Sequence, residues 1–164
     1  RDLSGDAGYG GWTQLLDRHT VVYFYGVWPK EWLDLDINVL ETAVVYFASV
    51  AFAPYLANKS LSIHGGPLFW IDNVTAMTVT QKGKSRSEKS LEIARLTDAR
   101  INSYCSEYSS SYINTKANVG ADHLSRQKTE LFKQWCRKTH GVKNFICVSP
   151  QASMSLNTLG RSLC

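Results

Sequence analysis

Four large apolar residues, Leu68-Phe69-Trp70-Ile71, run straight into Asp72-Asn73 and then into the helix-starting segment Val74-Thr75-Ala76. The apolar run reads as a short buried strand that stops abruptly at an acid. A carboxylate buried without a partner is costly. Asp72 therefore belongs at the strand tip, where it can face a cleft and hold a cation. Any chemistry built there depends on further carboxylates arriving at the same place.

The elements around this tip can be read in order. Residues 2–6 form a short opening segment, followed by clustered glycines at Gly8, Gly10 and Gly11 that allow tight turning or close approach. Residues 12–16 and 21–27 read as strands joined by the turn Asp17-Arg18-His19-Thr20, the second being rich in β-branched and aromatic residues. The chain is thus expected to open as a three-stranded antiparallel meander whose first strand carries Asp6. After a loop holding Pro29 and two tryptophans, Asn38 is a good N-cap with Glu41 in the capping-box position. Val44, Phe47, Ala48 and Ala51 form the apolar face of that helix.

Downstream, residues 60–63 and 68–71 give strand signals, 74–80 a short helix, and 81–87 a basic loop. A longer helix is expected over 88–104, with Leu91, Ala94, Ile101 and Cys105 on one face. A strand over 108–113, a helical stretch from 117 through 126, a helix over 130–138 stopped by Gly141, and a strand over 144–148 complete the pattern. This order predicts an α/β domain with a mixed sheet and helices on its faces. Residues 1–128 read as the main domain and 129–164 as a helical extension and tail packed on it or appended to it.

At 164 residues the chain suits one domain with a sizeable core, and its 44% hydrophobic content excludes disorder. No apolar run reaches the ~18 residues that suggest a membrane span. The four cysteines show no C-x-x-C spacing and no nearby histidine pair, which argues against zinc and for reduced thiols in an intracellular setting, cytoplasm or nucleus. The chain begins at Arg1 with neither methionine nor a signal-peptide pattern, so it is expected to be part of a longer protein. A net charge of +4 permits a phosphate-binding surface without demanding one.

Four acids stand at element ends: Asp6, Glu41, Asp72 and Asp122. Each has a plain structural reading. Asp6 could serve the glycine turn, Glu41 a capping box, Asp72 the cap of the helix after it, and Asp122 the first turn of a helix, where the dipole favours acids. Together they would suit a two-metal phosphoryl-transfer site, which needs several carboxylates on rigid elements and hard oxygen donors for magnesium.

The segments carrying these acids are Asp6-Ala7-Gly8, Ile37-Asn38-Val39-Leu40-Glu41, Asp72-Asn73-Val74-Thr75-Ala76 and Asn118-Val119-Gly120-Ala121-Asp122-His123-Leu124-Ser125-Arg126. In order and content they resemble the four blocks of type 1 ribonuclease H domains of retrotransposon reverse transcriptases. The closest likeness is to tyrosine-recombinase (DIRS-like) elements, and it covers roughly residues 3–126. The resemblance implies a ribonuclease H-like mixed five-stranded sheet, a three-strand antiparallel meander followed by parallel strands, with helices on both faces. It also implies an endonuclease that cuts the RNA strand of an RNA–DNA hybrid, covalently linked to a reverse transcriptase domain. Asp6, Glu41, Asp72 and Asp122 would hold two Mg²⁺ ions, with Mn²⁺ as a substitute, and Glu41 would stand near the ribose 2′-hydroxyl. Position 8, where such domains commonly carry a small hydroxyl residue, is glycine, and no histidine lies between Asp72 and Asp122.

Lys82, Lys84, Arg86 and Lys89 would suit phosphate contacts along a hybrid, or form a solvated basic loop. Trp12, Trp28 and Trp32 could offer stacking surfaces, although tryptophans in an α/β domain are more often core. The rival to the enzyme is a catalytically silent ribonuclease H-like module that binds nucleic acid or protein. A DNA-strand-transferring recombinase of related fold is the third reading.

Overall fold

A computed structural model describes residues 8–57, 68–85, 87–105, 107–150 and 161–162. The elements in chain order are β1 (Gly8–Gln14), β2 (Thr20–Val27), α1 (Ile37–Ala51), α2 (Ala53–Ala57), β3 (Leu68–Ile71), α3 (Val74–Lys82) and α4 (Glu88–Asn102). They continue with β4 (Ser109–Tyr112), α5 (Val119–Ser125), α6 (Thr129–His140), β5 (Asn144–Cys147) and β6 (Arg161–Ser162), with single 3₁₀ turns at Lys30–Trp32 and Thr115–Ala117. The chain is a mixed α/β structure that divides into two compact units, residues 1–34 with 118–164, and residues 35–117.

In the first unit β1 and β2 form an antiparallel hairpin running from Gly8↔Val27 to Gln14↔Val21. Arg18 takes a left-handed conformation in the turn, and the Asp17 carboxylate closes it by accepting from His19 N (2.8 Å), Thr20 N (2.9 Å) and Thr20 Oγ1 (2.8 Å). β5 adds parallel to β2, and β6 pairs with β2 antiparallel. The α5–α6 side of the sheet holds a core of Val21, Tyr23, Leu124, Phe132, Cys136 and Val142, flanked by Trp12, Tyr25, Trp135 and Phe145. Val22 and Phe24 point the other way and are also fully buried, with Tyr9 against Phe24 and Trp28. A strand buried on both faces reads as an unbroken apolar run, as Val21–Phe24 does. Gly141 ends α6 in the left-handed conformation that glycine adopts without penalty, as the sequence predicts.

In the second unit α1 is buried along nearly its whole length and packs against α4 and α3. Tyr104 donates its hydroxyl to Ser49 O at 2.6 Å, tying the end of α4 to α1. The buried stripe of α4 is Ser90, Ile93, Ala94, Thr97 and Ile101, so Leu91 and Cys105 lie at its margin and not on it as expected. β3 and β4 pair in parallel, Leu68↔Ser109 through Ile71↔Tyr112.

Three expectations change. The strands occupy two separate sheets, β1-β2-β5 with β6, and β3-β4, where one five-stranded sheet was expected. The expected first strand with Asp6, and the strand signal at 60–63, lie outside the described residues. Nor is the Leu68–Ile71 strand buried throughout. Ile71 is buried and Phe69 packs with Met77 on the Val45–Ala76 cluster, but Leu68 is 48% and Trp70 60% exposed. Alternate residues of a strand face opposite ways, and only one face of this pair is covered. Finally, the thiols are not all reduced: Cys147, at the end of β5, is disulfide-bonded, whereas Cys105 and Cys136 are free. Among the described residues no helix is long and apolar enough to cross a membrane.

Candidate functional site

Glu41 and Asp72 both belong to the 35–117 unit, and the structure changes the reading of each. The N-cap of α1 is Asp36, whose carboxylate accepts from Asn38 N at 2.7 Å. The expected cap at Asn38 is therefore wrong by two residues, and the capping-box position falls on Val39, not Glu41. Glu41 sits half-buried one turn into the helix. Likewise the cap of α3 is Asn73, whose side-chain oxygen accepts from Ala76 N at 2.8 Å. The helix start that Asp72 could have served is thus already served. Asp72 stays half-buried at the end of β3.

A hydrogen bond joins the two acid-bearing segments. Asn73 Nδ2 donates to Asn38 Oδ1 at 2.9 Å, across 35 residues of chain. Asn38 and Glu41 are three apart on α1 and so share a face, while Asp72 is the residue next to Asn73. The amide orientation of Asn73 is decided by its own cap: the oxygen is committed to Ala76 N, which leaves the nitrogen to donate.

Asp122 lies in the other unit, in the first turn of α5, as the sequence suggested. Its Oδ1 accepts from Arg126 Nε at 3.2 Å, both side chains being about half exposed (46% and 58%). An i,i+4 pair this open is worth only about 0.3–0.5 kcal/mol, so it orients the carboxylate without committing it. Asp6 lies outside the described residues. Two residues on, Gly8 has a steric explanation. A Cβ there would fall 2.5 Å from Gly26 O and 2.6 Å from Ser125 O, both backbone atoms. The hydroxyl residue common at this position has no room.

Of the basic residues, Lys82 is the last residue of α3, Lys84 lies in the following loop and Lys89 opens α4, all exposed. The side chain of Arg86 is outside the described set. The stacking role is corrected for two tryptophans: Trp28 and Trp32 are buried and stack on each other at 6.3 Å, while Trp12 packs edge-on against Phe132 and Trp135. Burial pushes the Cys105 thiol up and the Cys136 thiol up to about 12, so neither supplies a thiolate nucleophile near neutral pH. Sequence reasoning missed Asn38 and Asn73 as partners. It also missed the basic character of α6, which was visible as Lys133, Arg137 and Lys138 within one short segment.

The donor chemistry of Glu41 and Asp72 fits a hard divalent cation, which takes carboxylate oxygens. Among the described residues no group of three or more His, Cys, Asp or Glu side chains is gathered closely enough for a metal. One predicted ligand, Asp6, falls outside that set, and Asp122 belongs to the other unit. No protein-family model, no curated protein and no solved structure matches the chain.

Proposed function

We propose that the chain is a metal-dependent ribonuclease H, cutting the RNA strand of RNA–DNA hybrids as part of a retroelement reverse transcriptase. The observation that carries this reading is the Asn73–Asn38 hydrogen bond, which joins the segments bearing Asp72 and Glu41 while other residues cap both helices. A fold that needed these acids only for helix starts would not also carry Asp36 and Asn73 in those places. In this proposal Asp6, Glu41, Asp72 and Asp122 would hold two Mg²⁺ ions, or Mn²⁺, whose chemistry would be water activation and leaving-group stabilisation. Lys82, Lys84, Arg86 and Lys89 hold the hybrid by its phosphates.

The proposal also includes the finer fold. It takes a ribonuclease H-like five-stranded sheet, with Asp6 on its first strand, as the fold of the domain. An intracellular setting and a linked reverse transcriptase domain belong with the same reading.

The test is hybrid cleavage by the pure chain with Mg²⁺ or Mn²⁺, beside Asp72→Asn. Loss of a metal carboxylate should reduce the rate by several orders of magnitude while hybrid binding survives. If the wild-type chain binds the hybrid normally and leaves it intact with both metals, the enzyme reading fails and the silent module replaces it. Activity on DNA ends with none on hybrids would point to the strand-transfer reading instead.

A further inference from the structure

The positive charge of this chain is concentrated in one stretch. Residues 126–143 carry six lysines and arginines (Arg126, Lys128, Lys133, Arg137, Lys138 and Lys143) against the single acid Glu130. That is an excess of five, while the whole chain nets only +4, so the remainder is slightly acidic. Basic residues in the last turn of a helix complement its dipole, which accounts for Arg137 and Lys138 on α6. It does not account for Lys128 before the helix, Lys133 in its middle or Lys143 beyond it.

The structure gathers part of this charge on one aromatic ring. Lys133 Nζ stands 5.9 Å and Arg137 Cζ 5.2 Å from the centroid of Phe145 on β5. Two like charges at i,i+4 repel each other, and here both are also drawn to the same aromatic ring. Among the described residues the ion pair of Lys133 is a long contact to Glu130, 3.9 Å, with Glu130 76% exposed. Arg137 is exposed and has no carboxylate partner among the described residues. Lys143, exposed, is pinned through its backbone N–H to His19 O at 2.8 Å, immediately before β5. Lys133 and Arg137, held at one ring on a regular helix, lose little freedom when an anion binds them.

We propose that the α6–β5 surface bearing Lys133 and Arg137 at Phe145, with exposed Lys143 immediately before β5, binds the phosphate backbone of a nucleic-acid duplex. The surface and residues 82–89 belong to different units of the chain. The choice of nucleic acid over other polyanions rests on the hybrid-cleaving reading, but the surface itself does not. Backbone binding of this kind is strongly salt-dependent, with a slope set by the number of phosphates neutralised.

The experiment is fluorescence-anisotropy titration of the full chain with a labelled RNA–DNA hybrid in EDTA, so that no cleavage is required, across a series of salt concentrations. Arg137→Gln with Lys143→Gln should bind about tenfold more weakly at about 0.1 M salt, with a log–log salt slope shallower by about one per cation removed. Arg137→Lys with Lys143→Arg keeps both charges and should restore most of the affinity, which a merely misfolded variant would not do. Wild-type affinity and slope in the Gln variant, with binding lost instead in Lys82→Gln with Lys84→Gln, overturns the proposal and leaves the hybrid reading standing. Intact salt-dependent binding through α6–β5 in a chain that never cleaves leaves the proposal standing and removes the enzyme. Failure of the wild-type chain to bind any duplex, or loss in the Gln variant only of binding to phosphatidylserine vesicles, overturns it.

Discussion

Asn73 bridges two helix starts. Its side-chain oxygen accepts from Ala76 N to cap α3, and its nitrogen donates to Asn38 Oδ1 in the first turn of α1. Both side chains are half-buried, where a hydrogen bond is less weakened by competing water. This one amide therefore sets how the end of β3, with Asp72, meets the beginning of α1, with Glu41.

The two functions of that amide can be separated. Asn73→Ala removes cap and bridge together and should cost about 1–2 kcal/mol of stability by urea unfolding, most of it from the cap. Asn73→Asp keeps a capping oxygen but turns the bridging donor into an acceptor facing Asn38 Oδ1. It should retain most of the stability and still lose hybrid cleavage. An Asn73→Asp chain that cleaves like wild type would show that the bridge does not position Asp72.

The elements were legible in the sequence because their signals are local. β2 announces itself through Val21–Phe24, α6 through its stop at Gly141, and α3 through the helix-starting segment Val74-Thr75-Ala76. What stayed hidden depends on distant partners. Asp36 and Asn38 are both good capping residues two positions apart, and only geometry decides that Asp36 caps while Asn38 reaches Asn73. The exposure of Trp70 was equally unreadable, because four apolar residues in a row look alike whether a strand is covered on one face or on two. The parallel pairing of β5 with β2 joins segments more than 100 residues apart, with no turn between them to mark it.

At Gly8 the resemblance to ribonuclease H domains and the local packing point different ways. Gly8→Ser would supply the hydroxyl common in ribonuclease H domains, but its Cβ would meet the carbonyls of Gly26 and Ser125, which cannot swing aside as side chains do. Overpacking of this kind costs about 1–3 kcal/mol. The variant should unfold at lower urea concentration and cleave no faster. A stabilised Gly8→Ser chain would mean that β1 has another way to sit beside β2 and α5.

Acid should loosen the β1–β2 hairpin through Asp17. Its carboxyl is held below the ordinary carboxylate range, chiefly by the His19 backbone N–H and next by the Thr20 hydroxyl. With the folded-state value below the unfolded one, near 3.8, the contribution is complete at neutral pH. It begins to fall as pH drops into the ordinary carboxylate range and is gone below the folded-state value. In urea unfolding followed from about pH 7 to about pH 2.5, the stability gap between wild type and Asp17→Asn should close at the acid end. A gap of constant size would show that the charge on Asp17 contributes nothing to the turn.

Metal binding can be read without activity. If Glu41 and Asp72 share a cation, bound metal stabilises the folded chain in full only while both carboxylates are present. Glu41→Gln and Asp72→Asn should then each lose most of the stabilisation that added Mn²⁺ gives the wild-type chain. A ligand at a hundred times its Kd stabilises the folded state by about 2.7 kcal/mol, and only the wild-type chain keeps the full set of donors for it. The signature is a difference in response: Tm rises with saturating Mn²⁺ in the wild-type chain and much less in either variant. A wild-type Tm unmoved by both Mn²⁺ and Mg²⁺, or an equal rise in all three chains, removes Glu41 and Asp72 from any metal site.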